Sequence, residues 1–446
     1  MRNRLLTLGT AMVAGAALLT GCGGSSGSSS TSGGASSTNT VNTKVDGTGK
    51  TLTLWDYEGD NSAMGIAWNA AIKQFETETG AKVQFEAKAF EQIRTTASQV
   101  LNSDQAPDIL EYNKGNATAG LLASQGLLTN LDDAVQAYGW DKNLASSLQT
   151  TAKYNDKGVM GSGHWYGVPT YGEYVMVYYN KDMFAKYGIS VPTTLDGLVA
   201  AMQTFKDKGI TPLAESAVEY PLGQLWYQLA LTKANRSWVN DYQLYTGDVN
   251  WQGPEVSYAS QTVKDWVDKG YIATDSTGLK AEDAGTGFES GKYPIFFSGS
   301  WWYNRFTSEI KGLQWGTFLF PGATMSPGSA GNMWVVPTNA KNKDLAYKFI
   351  DITMSPKIQA LMGNNGGIPV AANTADITDP KSKELIDNFN LLTQKDGIAF
   401  YPDWPTPTFY DQLNAGLQEL VNGTKTPAEV NSELGSEYKA GIAGVK

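Results

Sequence analysis
The chain has 446 residues, with 34 Lys and Arg against 44 Asp and Glu and a formal net charge of −10. That balance argues against nucleic acid or an anionic lipid surface as partner, because both need clustered positive charge. The single histidine, His164, and the single cysteine, Cys22, remove most catalytic options: a Ser-His-Asp triad would have to use His164, and a zinc site would have to be built almost wholly from carboxylates.

The chain opens MRNRLLTLGTAMVAGAALLTGC. Arg2 and Arg4 form a short basic region, and the weakly apolar run Leu5 to Leu19 follows. At roughly 15 residues it is too short for a membrane span and suits the h-region of a signal peptide. It ends in Leu19-Thr20-Gly21-Cys22, which looks like a bacterial lipobox, so residues 1–21 are expected to be removed and Cys22 to carry lipid. The alternative is an ordinary signal peptide with a chance cysteine. An exported protein with one cysteine cannot form an internal disulfide, so acylation is the simplest use of that thiol. Residues 22–49 are almost wholly Gly, Ser, Thr and Asn and read as a tether, with a random-coil span of roughly 30 Å.

The body from Lys50 onward is long enough for two domains. TLTLWDYEG (Thr51 to Gly59) reads as a buried strand running into a loop. A helix follows, capped by Asn61 or Ser62, with apolar Met64, Trp68, Ile72 and Phe75 and a stop at Gly80. AKVQFEAKAF alternates and reads as a second strand. An amphipathic stretch around FEQIRTTASQVLNS comes next, then a strand at PDILEYN and a helix over residues 116–125. Strands alternating with helices imply a parallel sheet covered on both faces, with the ligand crevice beyond the strands' carboxyl ends. The loops Trp55 to Asp60 and Glu111 to Asn113 sit at that edge. Further on, Tyr166 to Pro169 is extended, Tyr174 to Tyr179 is an aromatic and β-branched strand, and Asn180 to Tyr187 is a short helix. Thr194 caps another helix. Helices also fall near PLGQLWYQLALTKA, EVSYASQTVKDWVDKG, KDLAYKFIDITM and FYDQLNAGLQELVNG, and strands at KYPIFFSGSWW and NMWVVPTNA. There is no internal repeat, dinucleotide fingerprint, P-loop or zinc motif, so no cofactor is expected. His164, in HWYG, reads as a surface or supporting residue.

Several of these pieces together resemble the family 1 extracellular solute-binding proteins of ABC importers, which take up maltose and other oligosaccharides. The carriers are LTLWDYEG…FETETGAKV, APDILEYN, WYGVPTYGEYVMVYYNKDMFAKYGISVPTT, FFSGSWW, NMWVVPTNA and TPTFYDQL, in order from Thr51 to about Glu433. The resemblance implies an α/β, two-lobed periplasmic-binding-protein-like fold of type II, with parallel-rich sheets flanked by helices around a hinged interlobe cleft. It places the lobes at residues 50–171 plus about 332–355, and 172–331 plus about 356–446. The crossings fall near Thr170 to Gly172, near Gly331 to Trp334 and near residues 353–358. It implies an oligosaccharide ligand, ABC permease subunits as partners, a membrane link only through Cys22, a monomer, and a place on the outer face of the cell membrane of a Gram-positive bacterium.

A sugar has polar edges and apolar C–H faces, so its cleft needs aromatic plates beside a few hydrogen-bonding side chains. By the resemblance, Trp301 in GSWWYNRF matches the tryptophan of a Gly-x-Trp turn that lies under a sugar ring, while its neighbour Trp302 points inward. Glu173 matches a glutamate that bonds sugar hydroxyls; a hinge salt bridge is its alternative. Tyr112 and Asn113 follow PDIL at a cleft position. Glu58 and Asp60 lie in the loop after the first strand. Trp226, Trp334, Trp404 and Tyr410 complete the candidates, each with core packing as the alternative. YNKGN replaces a loop that carries an acid–base pair in the maltose-binding branch, so maltose specificity is not carried over. A non-sugar solute, a secreted glycoside hydrolase and a surface adhesin remain as competing functions.

Overall fold
In the computed structural model, residues 41–445 are described; Cys22 and the expected signal peptide lie outside them, as does the tether up to residue 40. The first strand, β1 (Thr51–Asp56), is followed by a helix over Ala63–Thr79. Ser62 caps that helix by accepting from the Gly65 amide, and Gly80 ends it in the left-handed conformation. Met64, Ala67, Trp68, Ala71 and Phe75 are buried, following the helical period. Next come β2 (Lys82–Ala87), a helix over Phe90–Leu101, and β3 (Ile109–Tyr112). Residues 116–125 form a π turn over Asn116–Gly120 and a single α turn over Leu121–Ser124. A small ladder joins β4 (Lys153–Tyr154) to β5 (His164–Trp165).

The first sheet has the order β2-β1-β3-β12-β6, where β6 is Val168–Pro169 and β12 is Met333–Val335. The second is centred on β7, Tyr171–Asn180. Around it stand β8 (Leu213–Ala214), β9 (Ile295–Gly299), β10 (Trp315–Phe318), β11 (Gly328–Ala330) and β13 (Ile368–Pro369). These two sheets with their helices are the two lobes. The α/β, two-lobed class stands, but the sheets are mixed rather than parallel-rich. Among the described strands, only β1 with β2, β1 with β3, and β8 with β9 form parallel ladders; every ladder made by β7 or β12 is antiparallel. Part of the cause is connectivity: β12 returns straight from β11 of the other sheet, with no crossover helix between them.

The passages between sheets are short. β6 ends at Pro169 in the first sheet and β7 begins at Tyr171 in the second. β11 ends at Ala330 and β12 begins at Met333. The Gly331 amide donates to the Tyr171 carbonyl at 2.6 Å, tying these two passages together. A Cβ on Gly331 would lie 2.2 Å from the Tyr171 ring, so only glycine fits. The third passage is the helix Pro356–Asn364 itself, which packs on Ala63–Thr79 of the first lobe and on β13 of the second. Gln359, fully buried in it, donates to the carbonyls of Thr170 at 2.7 Å and Thr353 at 2.9 Å. Its Oε1 accepts from the amides of Val370 and Ala371. One glutamine thus ties the first passage, at Thr170, to the end of the helix Lys343–Thr353 and to the segment after β13, satisfying backbone groups there.

Candidate functional site
The loops after β1, β2 and β3 face the helix starts and turns of the second lobe across a cleft of about 810 Å³. That volume falls within the range of small-molecule sites, and its place beyond the strands' carboxyl ends follows the rule for open α/β sheets. The first-lobe wall carries Tyr57, Glu58, Asp60, Phe90 and Asn113; the second-lobe wall carries Tyr220, Gln224, Trp301, Tyr401, Asp403 and Trp404.

The floor is a chain of polar bonds at the hinge. Lys114, 2% exposed, forms an ion pair with Glu173 and donates to Asn332 Oδ1 at 3.0 Å. Asn332 Nδ2 donates to the Tyr171 hydroxyl at 2.9 Å, which donates to Glu111 Oε1 at 2.9 Å. The Lys114 ammonium also lies over the rings of Tyr401, at 5.4 Å, and Trp404, at 5.5 Å. This packing needs Gly115: its φ is 111°, and a Cβ there would come within 2.5 Å of Trp404. The second-lobe loop is also constrained. Phe400 has φ 61°, unusual for an aromatic residue, and two backbone bonds to Gly328 hold it while Tyr401, Asp403 and Trp404 turn into the cleft.

Carboxylates crowd this floor. Burial, then the neighbouring Glu58, push Asp56 up to about 8. Burial pushes Glu58 up to about 7 despite its bond from Ser62, with Glu173 adding to the rise. Glu111 is raised well above the usual carboxylate range, by burial first and Glu58 second. Burial lifts Asp403 to about 6. Low dielectric and like charge both favour the neutral form, and one buried ammonium does not offset four acids.

Among the sequence candidates, Trp301, Glu173, Asn113, Glu58, Asp60, Tyr410 and Trp404 come together on this cleft. Trp301 is half-buried, its Nε1 donating to the Tyr220 hydroxyl at 3.1 Å. Trp302 is buried as expected, stacked on Phe306 at 5.6 Å, yet its edge also reaches the cleft. Glu173 realises the hinge salt bridge while still lining the cleft. Trp404 is 1% exposed: buried packing in its proline-bounded loop is achieved, because Gly115 lets the ring lie against the backbone.

Three candidates are corrected. Tyr112 is buried on the strand and does not line the cleft; only its successor Asn113 does. Trp226 is fully buried and its Nε1 donates to Ser260 at 2.8 Å, on the helix Pro254–Asp268. Trp334 packs edge-on against Trp68 and Phe349 in the first lobe's core. Each belongs to a correct element but to its inward face. Tyr410 has a different use: its hydroxyl donates to Glu91 at 2.9 Å and the Arg94 guanidinium lies 4.4 Å over its ring. His164 is exposed, paired with Asp132 at 2.6 Å away from the cleft.

Sequence reasoning passed over Lys114, Tyr171, Tyr220, Gln224, Tyr401 and Asp403. Tyr401 and Asp403 flank a named tryptophan, and Tyr220 and Gln224 precede another on the same helix, so the missing information was the direction of each side chain.

The model of the bacterial extracellular solute-binding proteins matches residues 8–360. The chain belongs to this family. This solute-binding protein is 27% identical over 415 residues to the diacetylchitobiose-binding protein of Streptomyces coelicolor, across 89% of this chain and 90% of that one. It is 23% identical over 330 residues to the multiple sugar-binding protein of Streptococcus mutans, across 71% and 74% of the two chains. Among solved structures, a chitin oligosaccharide binding protein shares the fold with a TM-score of 0.76 at 23% identity, covering 88% of this chain and 99% of that one. No helix among the described residues is long and apolar enough to cross a membrane.

Proposed function
We propose that this solute-binding protein captures an oligosaccharide in the interlobe cleft and hands it to the permease of an ABC importer, with no chemistry performed on it. The observation that carries this reading is the wall composition: aromatic rings from both lobes stand beside uncharged, acidic and basic hydrogen-bonding groups, the last being Lys114, Lys280 and Arg305, in a cleft of about 810 Å³. Apolar sugar faces suit the rings, and hydroxyls suit Glu58, Asp60, Asn113 and Glu173. Trp301 is the plate and Trp404 the supporting wall. The relatives named for sugars support the same class of ligand.

The lobes are residues 50–171 plus about 332–355, and 172–331 plus about 356–446, closing about the hinge when ligand bridges both walls. Cys22 carries a lipid after removal of residues 1–21, and the chain from Cys22 to about residue 40 tethers the monomer to the outer face of a Gram-positive cell membrane. The expected tether ends there rather than at residue 49, because Val41 and Val45 pack on the core and the Gly47 amide donates to the Thr79 carbonyl at 2.8 Å. Replacing Cys22 by alanine is expected to release the protein into the medium, as read by cell fractionation.

A thermal-shift screen with di- to tetrasaccharides tests the function, because a ligand of the native state raises apparent stability by mass action. At least one neutral oligosaccharide should raise Tm, and Trp301→Ala should weaken its binding roughly 30-fold, about 2 kcal/mol, as for an aromatic anchor. Tight binding of a peptide or metal ion, with no response to any sugar, would refute it.

A further inference from the structure
The helix Tyr220–Leu231 forms part of the second-lobe wall. Tyr220 and Gln224 are four residues apart and share the face that lines the cleft. Trp226, two residues on, points about 200° away, into the core. Gln224 is 5% exposed, and its Oε1 has no hydrogen-bond partner among the described residues. Gln228 and Gln243 also keep one unpaired oxygen, but their Nε2 atoms are spent on the carbonyls of Met325 and Tyr401, and neither residue lines the cleft. A buried amide oxygen is costly to leave unpaired, so one on a residue that lines a binding cleft calls for a partner on the ligand, reached by a turn of the side-chain amide.

We infer that Gln224 is a specificity-determining residue, whose side-chain amide reads a hydrogen-bond donor and acceptor held side by side on the bound sugar. This rests on the sugar-binding reading above. A primary amide offers a carbonyl and an N–H in one plane. A turn of that plane exchanges its two ends or brings its edge to the cleft, next to Tyr220, whose hydroxyl already accepts from Trp301. Two ligand groups carry the complementary pair: vicinal ring hydroxyls and an acetamido substituent. A deoxy position, lacking the pair, leaves the amide buried and unpaired and is rejected.

The test is calorimetric titration of the full chain and its variants Gln224→Leu and Gln224→Glu. The probes are di- to tetrasaccharides of several linkages, each in plain and 2-acetamido form. For the sugar that wild type binds, Gln224→Leu should weaken affinity about 10- to 100-fold. Its unliganded Tm should hold or rise, since an unpaired buried group is removed. Gln224→Glu, which keeps acceptors but loses the N–H donors, should also bind more weakly. The member of each plain and acetamido pair that suffers the larger loss identifies which group the amide reads. Wild-type binding retained undiminished in both variants overturns the inference while leaving the proposed function intact. So does a lowered Tm with affinity unchanged, which would make Gln224 a packing residue. A wild type that binds no member overturns both readings.

Discussion
Lys114 is the buried cation of the hinge floor, bonded to Glu173 and Asn332 and covered by Tyr401 and Trp404. Removing one partner of such a pair leaves the other charge buried without compensation, which costs about 3–5 kcal/mol. Lys114→Met is therefore expected to destabilise the fold by about that amount in denaturant unfolding, and Lys114→Met/Glu173→Leu to recover most of it. A single variant no less stable than wild type would show that the pair does not hold the hinge. Lys114 was not legible as a site residue. YNKGN reads as a polar loop, and only the fold brings Glu173 and Asn332, distant in sequence, to its ammonium. The tryptophans show the complementary failure. Aromatic residues in the right elements were easy to find, but Trp226 and Trp334 face inward, and a residue type carries no sign of direction where both faces of an element are buried. Trp301 escaped this ambiguity because its place in the turn after β9 matched a known pattern.

The helices Phe90–Leu101 and Phe409–Val421 meet across the cleft. Arg94 Nη2 bonds Asp411 Oδ1 at 3.1 Å, and the Tyr410 hydroxyl bonds Glu91. One helix belongs to each lobe, so these contacts exist only while the lobes are together. Asp411 is 65% exposed, and an exposed pair contributes about 0.2–1 kcal/mol. Asp411→Asn should thus speed ligand release by no more than roughly 5-fold, with the difference shrinking at high salt, as read by stopped-flow fluorescence. A change of 100-fold, or one insensitive to salt, would contradict this account. Most elements were legible from their caps and periods: Ser62, Thr194 and Gly80 act as expected. The mixed sheets were not, because β12 is three residues long and the direction of so short a strand depends on which lobe the chain has just left.

The whole molecule carries an acid load that its fold holds partly protonated. Asp56 is raised to about 8, Glu58 to about 7, and Asp403 to about 6, and burial lifts Glu215 to about 8. For a carboxyl raised on folding, the native state keeps its proton while the unfolded chain loses it near pH 4. Stability is then greatest below the unfolded value and falls as pH rises towards the native one. The acids held below their ordinary range, Asp46, Glu78 and Glu429, act at lower pH and do not oppose this. The protein should therefore have a higher Tm at pH 5 than at pH 8 in scanning calorimetry at constant ionic strength. An equal or lower Tm at pH 5 would show that these carboxyls ionise freely in the native state.

The central claim is that the two walls close on one sugar. Titrating the unliganded chain with the responding oligosaccharide, while recording tryptophan fluorescence and small-angle X-ray scattering together, tests it most directly. The account predicts saturation at one sugar per chain, a fluorescence change that depends on Trp301, and a radius of gyration that is smaller with sugar than without. Saturation with an unchanged radius of gyration, or a fluorescence change intact in Trp301→Ala, would contradict it.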